Sequence, residues 1–316
     1  MNLWQKAMIY LATHPKIKQA VENKSLVRKL GQRYIEGKDE SDLIGKSLDL
    51  KSSGMGTSFF CLGEYIRDAR VIDQTITSLK TTILLARRVG LDLHTSIDPT
   101  QAGLMISKRC CQNNLEDLAY WIKQGARAGS RDLLMMDMED AAVTRDTLNI
   151  FHNLRSQGLP VGITLQACLI RTPGDLGPVM EKSTAVRLVK GAFAEKPKIA
   201  LQPGNAVDRA YLSLADRLLD PQAIEQGVFP VFATHDPILI KKIIAKAQAR
   251  KISADQFEFE MLLGVRPELQ KNLTNRNFQV RIYLPYGKDI WPYAIRRVGE
   301  NPKNFKFLIK SILTAK

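Results

Sequence analysis

The residues best suited to chemistry in this chain are fixed cations and an amide donor. Arg187 lies in one short apolar run and Lys190 directly follows that run, Gln166 follows another, and Arg296 and Arg297 are adjacent near the end of the chain. Guanidinium, ammonium and amide N–H groups around one cavity suit an anionic cofactor together with a carboxylate ligand. We therefore expect a site that binds both.

Several other chemistries are disfavoured. The sequence has no Gly-x-Ser-x-Gly elbow, no Walker-type phosphate loop, no Cys-x-x-Cys pair and no Gly-x-Gly-x-x-Gly after a strand. The one acidic cluster, Asp137-Met138-Glu139-Asp140, is more typical of a strand-end cap than of a metal site, so we predict no metal. His235 alone among four histidines occupies a convincing site position, and His14, His94 and His152 are interpreted as surface or core residues.

A second group of residues has helical spacing. Tyr293, Arg296, Arg297 and Glu300 follow i, i+3, i+4 and i+7 and would share one helix face. Two guanidiniums on that face could bind one carboxylate, and Glu300 could orient Arg297. Taken alone, the motif also fits a solvated helix surface.

The elements that would position these residues alternate along the chain. Apolar or β-branched runs are separated by stretches whose apolar residues recur every three to four positions, which indicates helices. With no antiparallel hairpin signal, the alternation predicts a closed parallel (β/α)8 barrel, a TIM-like α/β fold, with its active site at the carboxyl ends of the strands. The eight runs are Ser58–Gly63, Leu91–Ile97, Leu133–Met136, Val161–Leu165, Ala185–Val189, Phe229–Ala233, Phe257–Met261 and Val280–Leu284.

The ends of these runs are unusually polar. Ordinary strand ends would have Gly, Asn or Ser, whereas here only Leu262 is apolar, so we expect the others to face a common cavity. They are Glu64, Asp98, Asp137 with Glu139, Gln166, Arg187 with Lys190, Thr234 with His235, and Tyr283.

The domain organisation is predicted as a helical arm over residues 1–45 and a catalytic barrel over 46–316 that includes C-terminal helices. Leu26, Leu30 and Tyr34 have heptad-like spacing in the arm, and Gly45 together with Lys51–Gly56 breaks that pattern.

The composition of the chain limits the expected cellular location and binding partners of the protein. The chain is 45% hydrophobic and 25% charged, with a net charge of +14 and four cysteines. It lacks a signal-peptide pattern and any apolar run of about 18 residues, so a reduced cytoplasm is expected. The positive charge comes without a nucleic-acid motif, so we predict no nucleic acid partner. The Lys-rich segment Lys303–Lys316 suits transient, peripheral contact with the inner face of an anionic membrane.

At these positions the sequence resembles the proline dehydrogenase family over nearly the whole barrel. The segments are individually weak, but they occur in order and each falls on the appropriate strand. They are Leu62–Glu64, Asp137–Glu139, Leu165–Ala167, Arg187–Ala192, Phe232–Asp236, Phe257–Leu262, Val280–Tyr283 and Tyr293–Glu300.

The resemblance implies non-covalently bound FAD and oxidation of L-proline to 1-pyrroline-5-carboxylate by hydride transfer to flavin N5, with electrons passed to a quinone-type acceptor. Arg187 resembles the arginine beside N5, and Asp137, Tyr283, Glu64 and Asp98 join it in the expected catalytic group. The expected cofactor-binding residues are Met138, Gln166, Arg187, Val189, Lys190, Gly191, Ala192, Thr234 and His235. The expected substrate-binding residues are Arg296, Arg297, Glu300, Tyr293 and Leu262.

One departure from the family pattern bears on the substrate. Asp98 stands where the family has a lysine close to substrate and flavin, which reverses a charge. Either a neighbouring cation neutralises Asp98 and proline remains the substrate, or the pocket accepts a proline analogue or other cyclic amino acid with an extra donor or cation. Smaller departures are Leu263 and Glu260, where relatives often have an aromatic residue and Gln.

A non-catalytic flavin-binding barrel is a further alternative. The presence of Arg187, Arg296, Arg297 and Glu300 argues against it, because a scaffold does not need a carboxylate clamp.

Overall fold

The computed structural model describes residues 39–181, 183–193, 195–287 and Tyr293. Eight parallel strands follow one another around a closed barrel in chain order, and the last pairs with the first. This pairing extends from Gly56 opposite Arg281 to Cys61 opposite Tyr286. The predicted (β/α)8 fold is confirmed.

The strands are β1 (Gly56–Cys61), β2 (Thr95–Ile97), β3 (Leu134–Met136), β4 (Val161–Gln166), β5 (Thr184–Val189), β6 (Val228–Ala233), β7 (Glu258–Leu262) and β8 (Gln279–Tyr286). The helices in the described residues are α1 (Glu40–Ser52), α2 (Ala69–Arg88), α3 (Lys108–Gly125), α4 (Thr144–Ser156), α5 (Thr172–Met180), α6 (Asn205–Leu218), α7 (Pro221–Glu225), α8 (Pro237–Ala249) and α9 (Pro267–Asn275). None of them is both long enough and apolar enough to cross a bilayer.

The helix boundaries follow local chemistry. Asp68 caps α2 by accepting a hydrogen bond from the backbone N–H of Arg70, and basic Arg87 and Arg88 occupy its last turn. Asp236 caps α8 in the same way, directly before a proline at the first helical position. The capping residue after β6 therefore also fixes where the loop at the barrel mouth ends.

The first described helix crosses the predicted domain boundary. Gly45 lies inside α1, so the expected break at that residue is wrong, whereas the break over 51–56 is confirmed by the end of the helix at Ser52. A glycine costs a helix about 1 kcal/mol relative to alanine, and burial of Leu43 and Ile44 beside it offsets that cost. The remainder of the arm and the C-terminal helices lie outside the described residues, and the division into arm and barrel stays a prediction.

Alternate strand residues divide the interior into two environments. Residues such as Phe59, Ile163, Phe232 and Ile282 belong to the large apolar core, which in this architecture lies between strands and helices. The other residues face the centre of the barrel, which contains paired charges. Arg187 on β5 pairs with Glu260 on β7, and nearer the amino ends Arg281 on β8 pairs with Glu258 on β7.

Candidate active site

The centre of the site is the Arg187 guanidinium, whose side chain is 3% exposed. Its Nε and Nη2 donate to the two carboxylate oxygens of Glu260 at 2.7 Å each. Its Nη1 donates to Asp137 Oδ1 at 2.5 Å, and Nη2 also donates to Ser96 Oγ at 2.8 Å. Burial alone would lower the pKa of Arg187, but Glu260 and Asp137 outweigh it and hold the pKa above its ordinary value. Arg187 is thus a permanent, rigidly held cation.

Asp137 connects this cation to a tyrosine. Its second oxygen accepts a hydrogen bond from the Tyr283 hydroxyl at 2.8 Å, and Oδ1 also accepts from Thr164 at 2.8 Å. The Arg187 guanidinium carbon lies 5.3 Å from the centre of the Tyr283 ring. Burial, then the charges of Asp137 and Asp98, raise the pKa of Tyr283 well above its usual value, so its hydroxyl stays protonated. The predicted residues Arg187, Asp137 and Tyr283 therefore form one cluster.

Hydroxyl groups support this cluster from inside the barrel. The Oγ atoms of Ser58 and Ser96 lie 2.7 Å apart, and Ser58 Oγ is 3.0 Å from His94 Nδ1. Burial, with Arg281 and Arg187 nearby, lowers the pKa of His94 well below its ordinary value, which keeps the imidazole neutral. His94 is a core residue and His152 is exposed, as predicted. His14 lies outside the described residues.

Polar loops after β1 to β4 form one side of the mouth. The backbone N–H and hydroxyl of Thr100 donate to the two oxygens of Glu139 at 2.9 and 2.5 Å. Gln166 donates to the carbonyl of Glu139 at 2.6 Å and more weakly to that of Met138 at 3.4 Å. Burial raises the pKa of Glu139 to about 7, opposed by Thr100 and reinforced by Glu64. Glu64, which is half-buried, therefore lies close enough for its charge to act on Glu139.

The loops after β5 and β6 form the opposite side. Lys190 Nζ lies 2.6 Å from the carboxylate oxygen Oδ1 of Asp208 and 3.0 Å from Oδ2 of Asp236. Burial opposes the charge on Lys190, but these two partners raise its pKa. His235 Nε2 accepts a hydrogen bond from the backbone N–H of Leu262 at 2.8 Å, which joins the β6 loop to β7.

Short-range contacts place the other cofactor candidates beside this loop. Val189 and Lys190 accept backbone hydrogen bonds from Ala167 and Cys168 at 2.8 and 2.9 Å, which hold the ends of β4 and β5 together. Gly191 follows with φ +105. Ala192 is exposed, whereas Thr234 is buried and its hydroxyl accepts a hydrogen bond from the backbone N–H of Asp236.

The substrate-binding candidates are described only in part. Tyr293 is 5% exposed and packs with Phe60 and Leu62, next to Tyr283. Asp98 is 8% exposed at the end of β2. Arg296, Arg297 and Glu300 lie outside the described residues, so the twin-guanidinium clamp stays a prediction.

The sequence reasoning did not assign Glu260, Ser58, Ser96 and Thr164 to the site. Glu260 was noted only as a departure in fine specificity, yet it is the bidentate partner of Arg187. A signal was available, because Glu258 and Glu260 occupy alternate positions of an otherwise apolar strand and so must face the same side. Because buried charges are usually paired, Glu258 and Glu260 could have been expected to pair with the arginines of nearby strands, Arg187 and Arg281.

No group of His, Cys, Asp and Glu side chains in the described parts of the chain is arranged to hold a metal ion.

Comparison with known proteins identifies the class. Residues 43–310 match the family model described as proline dehydrogenase. Proline dehydrogenase 1 of Bacillus subtilis subsp. natto is 30% identical over 282 residues, covering 89% of this chain and 90% of that protein. The proline dehydrogenase of Deinococcus radiodurans is 29% identical over 317 residues, covering 99% of this chain and 98% of that protein.

Solved structures agree on the fold. Proline utilization A from Bdellovibrio bacteriovorus, inactivated by N-propargylglycine, superposes with a TM-score of 0.80 at 18% identity, covering 97% of this chain and 37% of that one. The family match and the named relatives make the protein an oxidoreductase, and its barrel of parallel strands is the fold that the solved structure shares. The chain belongs to the proline dehydrogenase family.

Proposed function

We propose that this chain oxidises L-proline to 1-pyrroline-5-carboxylate with FAD as its cofactor. The observation that carries the proposal is the buried Arg187–Asp137–Tyr283 cluster at the carboxyl ends of the strands, where barrel enzymes have their active sites. Membership of the proline dehydrogenase family supports the substrate and the flavin.

The residues around Arg187 fit the ring of a flavin. An arginine has five N–H donors, and four of those on Arg187 are used by Glu260, Asp137 and Ser96. One N–H on Nη1 has no partner among the described residues, and the guanidinium keeps its charge. A fixed cation of this kind suits a ring system that gains negative charge on reduction.

The loop after β5 fits a ligand that closely approaches the protein backbone. A Cβ added to Gly191 would lie 2.3 Å from Cys168 Sγ and 2.9 Å from Gln166 Oε1, so any side chain there would have to displace one or both of them. A Gly at positive φ leaves its peptide groups open to a bound molecule.

The pyrophosphate end fits only if Lys190 exchanges partners. Lys190 is paired with two carboxylates, and the three side chains are 36%, 36% and 28% exposed. Ion pairs at such partly exposed positions contribute about 0–1 kcal/mol each. A pyrophosphate with higher charge can therefore compete for this lysine.

The proposed division of labour follows from these positions. When bound, FAD supplies N5 as the acceptor of a hydride from the proline carbon next to nitrogen. Arg296 and Arg297 would hold the substrate carboxylate, with Arg297 oriented by Glu300, while Tyr293, Leu262 and Tyr283 would pack around the substrate ring and exclude water. Holding substrate and cofactor in one orientation can supply most of the rate enhancement, because no covalent intermediate is needed.

A visible spectrum tests the proposal. We expect purified, FAD-reconstituted protein to be yellow and to lose its flavin absorbance anaerobically when L-proline is added. Arg297→Gln should keep the colour but need far more proline for bleaching, since a charge-assisted pair to the carboxylate is lost. A colourless preparation that cannot take up FAD would contradict the proposal.

A second candidate substrate is a proline analogue with an additional donor or cation, and Asp98 favours it. The charge of Asp98 contributes to the raised pKa of Tyr283, so this carboxylate lies close to the catalytic cluster. Steady-state turnover with L-proline and with ring-hydroxylated proline, for wild type and Asp98→Lys, separates the two. Fast turnover of L-proline alone by the wild type rejects the analogue, whereas a gain on proline in Asp98→Lys supports it.

The electron acceptor is proposed to be a quinone, reached by transient contact of a cytoplasmic protein with the membrane face. The net charge of +14 supports contact with anionic lipid. Sedimentation with anionic vesicles at low salt should deplete the protein from the supernatant, and unchanged sedimentation would rule the contact out.

A further inference from the structure

The partner of Arg187 on β7 is a carboxylate that is itself almost completely buried. Glu260 is 2% exposed, and its two oxygens each accept a 2.7 Å hydrogen bond from the guanidinium. This fork-to-fork geometry fixes the plane of the guanidinium as well as its position. Glu260 therefore sets which Arg187 N–H remains available toward the mouth.

Glu260 also sets the charge of the cluster. Arg187 on β5 is faced by Asp137, directly after β3, and by Glu260 on β7, so one cation meets two carboxylates. The other charged groups near this cluster include Glu258 on β7, which pairs with Arg281 on β8, Asp92, which also pairs with Arg281, and Asp98 after β2, whose charge acts on Tyr283. With Glu260 ionised, the three groups Arg187, Asp137 and Glu260 together carry a net negative charge. With a neutral side chain at position 260, the charges of Arg187 and Asp137 would balance.

We propose that Glu260 is a positioning residue that orients Arg187 and offsets its charge, and thereby lowers the reduction potential of the bound flavin. This inference rests on the proposed binding of FAD beside Arg187. A positive charge at that place stabilises the reduced, more negative flavin. An ionised carboxylate in direct contact with the cation weakens that stabilisation.

The ionisation of Glu260 responds to pH in an accessible range. Burial raises the pKa of Glu260 to about 7, although Arg187 pulls it down, while Glu258 adds to the increase and Arg281 opposes it. The effect on the flavin should therefore be largest above neutral pH and fade as the carboxyl takes up a proton.

Spectroelectrochemical titration of the FAD-loaded enzyme tests the inference. At pH 8, Glu260→Gln should favour reduced over oxidised flavin by about tenfold more than wild type, which is a positive shift of about 30 mV for a two-electron couple. At pH 5.5 the two potentials should converge. Glu260→Asp, which keeps the charge but shortens the reach, should retain a potential close to wild type while kcat falls.

Glu258→Gln is the matched control. It makes the same chemical change on the same strand and inner face, but its partner is Arg281, 2.9 Å away. Glu258→Gln should leave the reduction potential of the flavin unchanged even if it lowers the melting temperature. If Glu260→Gln fails to fold, the folded Glu260→Asp variant still allows the role of Glu260 to be tested.

The outcomes separate the two proposals. Equal potentials for wild type and Glu260→Gln at pH 8, in proteins that bind FAD, would overturn the role of Glu260 and leave the proposed function intact. The same positive shift in Glu258→Gln would reduce the effect to general interior charge and also overturn it. Failure of the wild type to bind FAD would overturn both.

Discussion

Buried carboxyl groups differ in how their charge is compensated. Glu258 and Glu260 each face an arginine inside the barrel. Glu139 is 1% exposed and receives neutral donors from Thr100, with no ion pair among the described residues. An uncompensated buried carboxyl should favour its protonated form. The pKa of Glu139 is accordingly raised by burial to about 7.

Glu139→Gln should remove part of the pH dependence of stability. Because the pKa of Glu139 in the folded state lies above its ordinary value of 4.5, the folded state binds more protons than the unfolded state in this window, so stability falls as pH rises from about 4.5 to about 7. At about 1.4 kcal/mol per pKa unit, the loss is on the order of 3 kcal/mol. Urea unfolding at pH 5 and pH 8 should show a smaller loss in Glu139→Gln than in wild type.

An exposed residue provides the comparison for this measurement. Glu225 lies at the end of α7 and is exposed. Glu225→Gln should keep the wild-type dependence of unfolding free energy on pH. An identical pH dependence in Glu139→Gln would show that this carboxyl does not change its protonation between folded and unfolded protein.

At the scale of an element, the loop after β5 depends on close contact with the loop after β4. The two loops are tied by backbone bonds from Ala167 and Cys168 to β5. Gly191 then turns with φ +105 directly against Cys168. The turn connects the strand that bears Arg187 to Lys190 and the proposed cofactor-binding loop, so its geometry affects both.

Gly191→Ala should destabilise the protein and weaken FAD binding. Its Cβ would meet Cys168 Sγ at 2.3 Å, and such overpacking costs about 1–3 kcal/mol in addition to backbone strain. Gly204→Ala is the control, since Gly204 also has a positive φ of +127 but nothing within 4 Å of an added Cβ. Thermal unfolding and FAD titration should show the larger loss for Gly191→Ala.

A double variant isolates the steric part of that loss. Cys168→Ala removes the Sγ atom, so Cys168→Ala/Gly191→Ala should recover part of the FAD affinity lost in Gly191→Ala. No recovery would indicate that backbone strain, and not contact with the thiol, dominates.

At the scale of the whole molecule, closure of the barrel limits the volume available inside it. Gly162 on β4 pairs with Met135 on β3. An added Cβ there would lie 2.9 Å from the backbone oxygen of Ala185 and 2.9 Å from Met135 Cε. Because backbone atoms of a closed sheet cannot move aside independently, this position requires glycine.

Gly162→Ala should lower the free energy of unfolding by about 1–3 kcal/mol while leaving FAD binding intact, because Gly162 lies near the amino end of its strand. Gly45→Ala should have the opposite sign, with a gain of about 0.5–1 kcal/mol in a helix interior, since nothing lies within 4 Å of an added Cβ. Chemical denaturation measures the free energy of unfolding of both variants. A Gly162→Ala variant more stable than wild type would contradict the steric explanation.

The sequence was a good guide to which segments become strands and a poorer guide to their limits. The run Leu91–Ile97 was predicted as a strand, yet β2 comprises only Thr95–Ile97. Leu91 and Leu93 are buried all the same, at 3% and 0% exposure. Apolar character reports burial, whereas a strand also needs a neighbour in register, which is a property of the folded sheet.

Residue types and their periodicity were sufficient to predict the barrel and its polar strand ends, because side-chain alternation and helical spacing are local properties. Which charges meet inside the barrel was decided by the tertiary structure. Arg187 donates hydrogen bonds to Glu260, which is 73 residues away in the sequence, and to Asp137, which is 50 residues away. Coulombic and hydrogen-bond energies depend on distance in space, and only closure of the sheet brings these three side chains within contact.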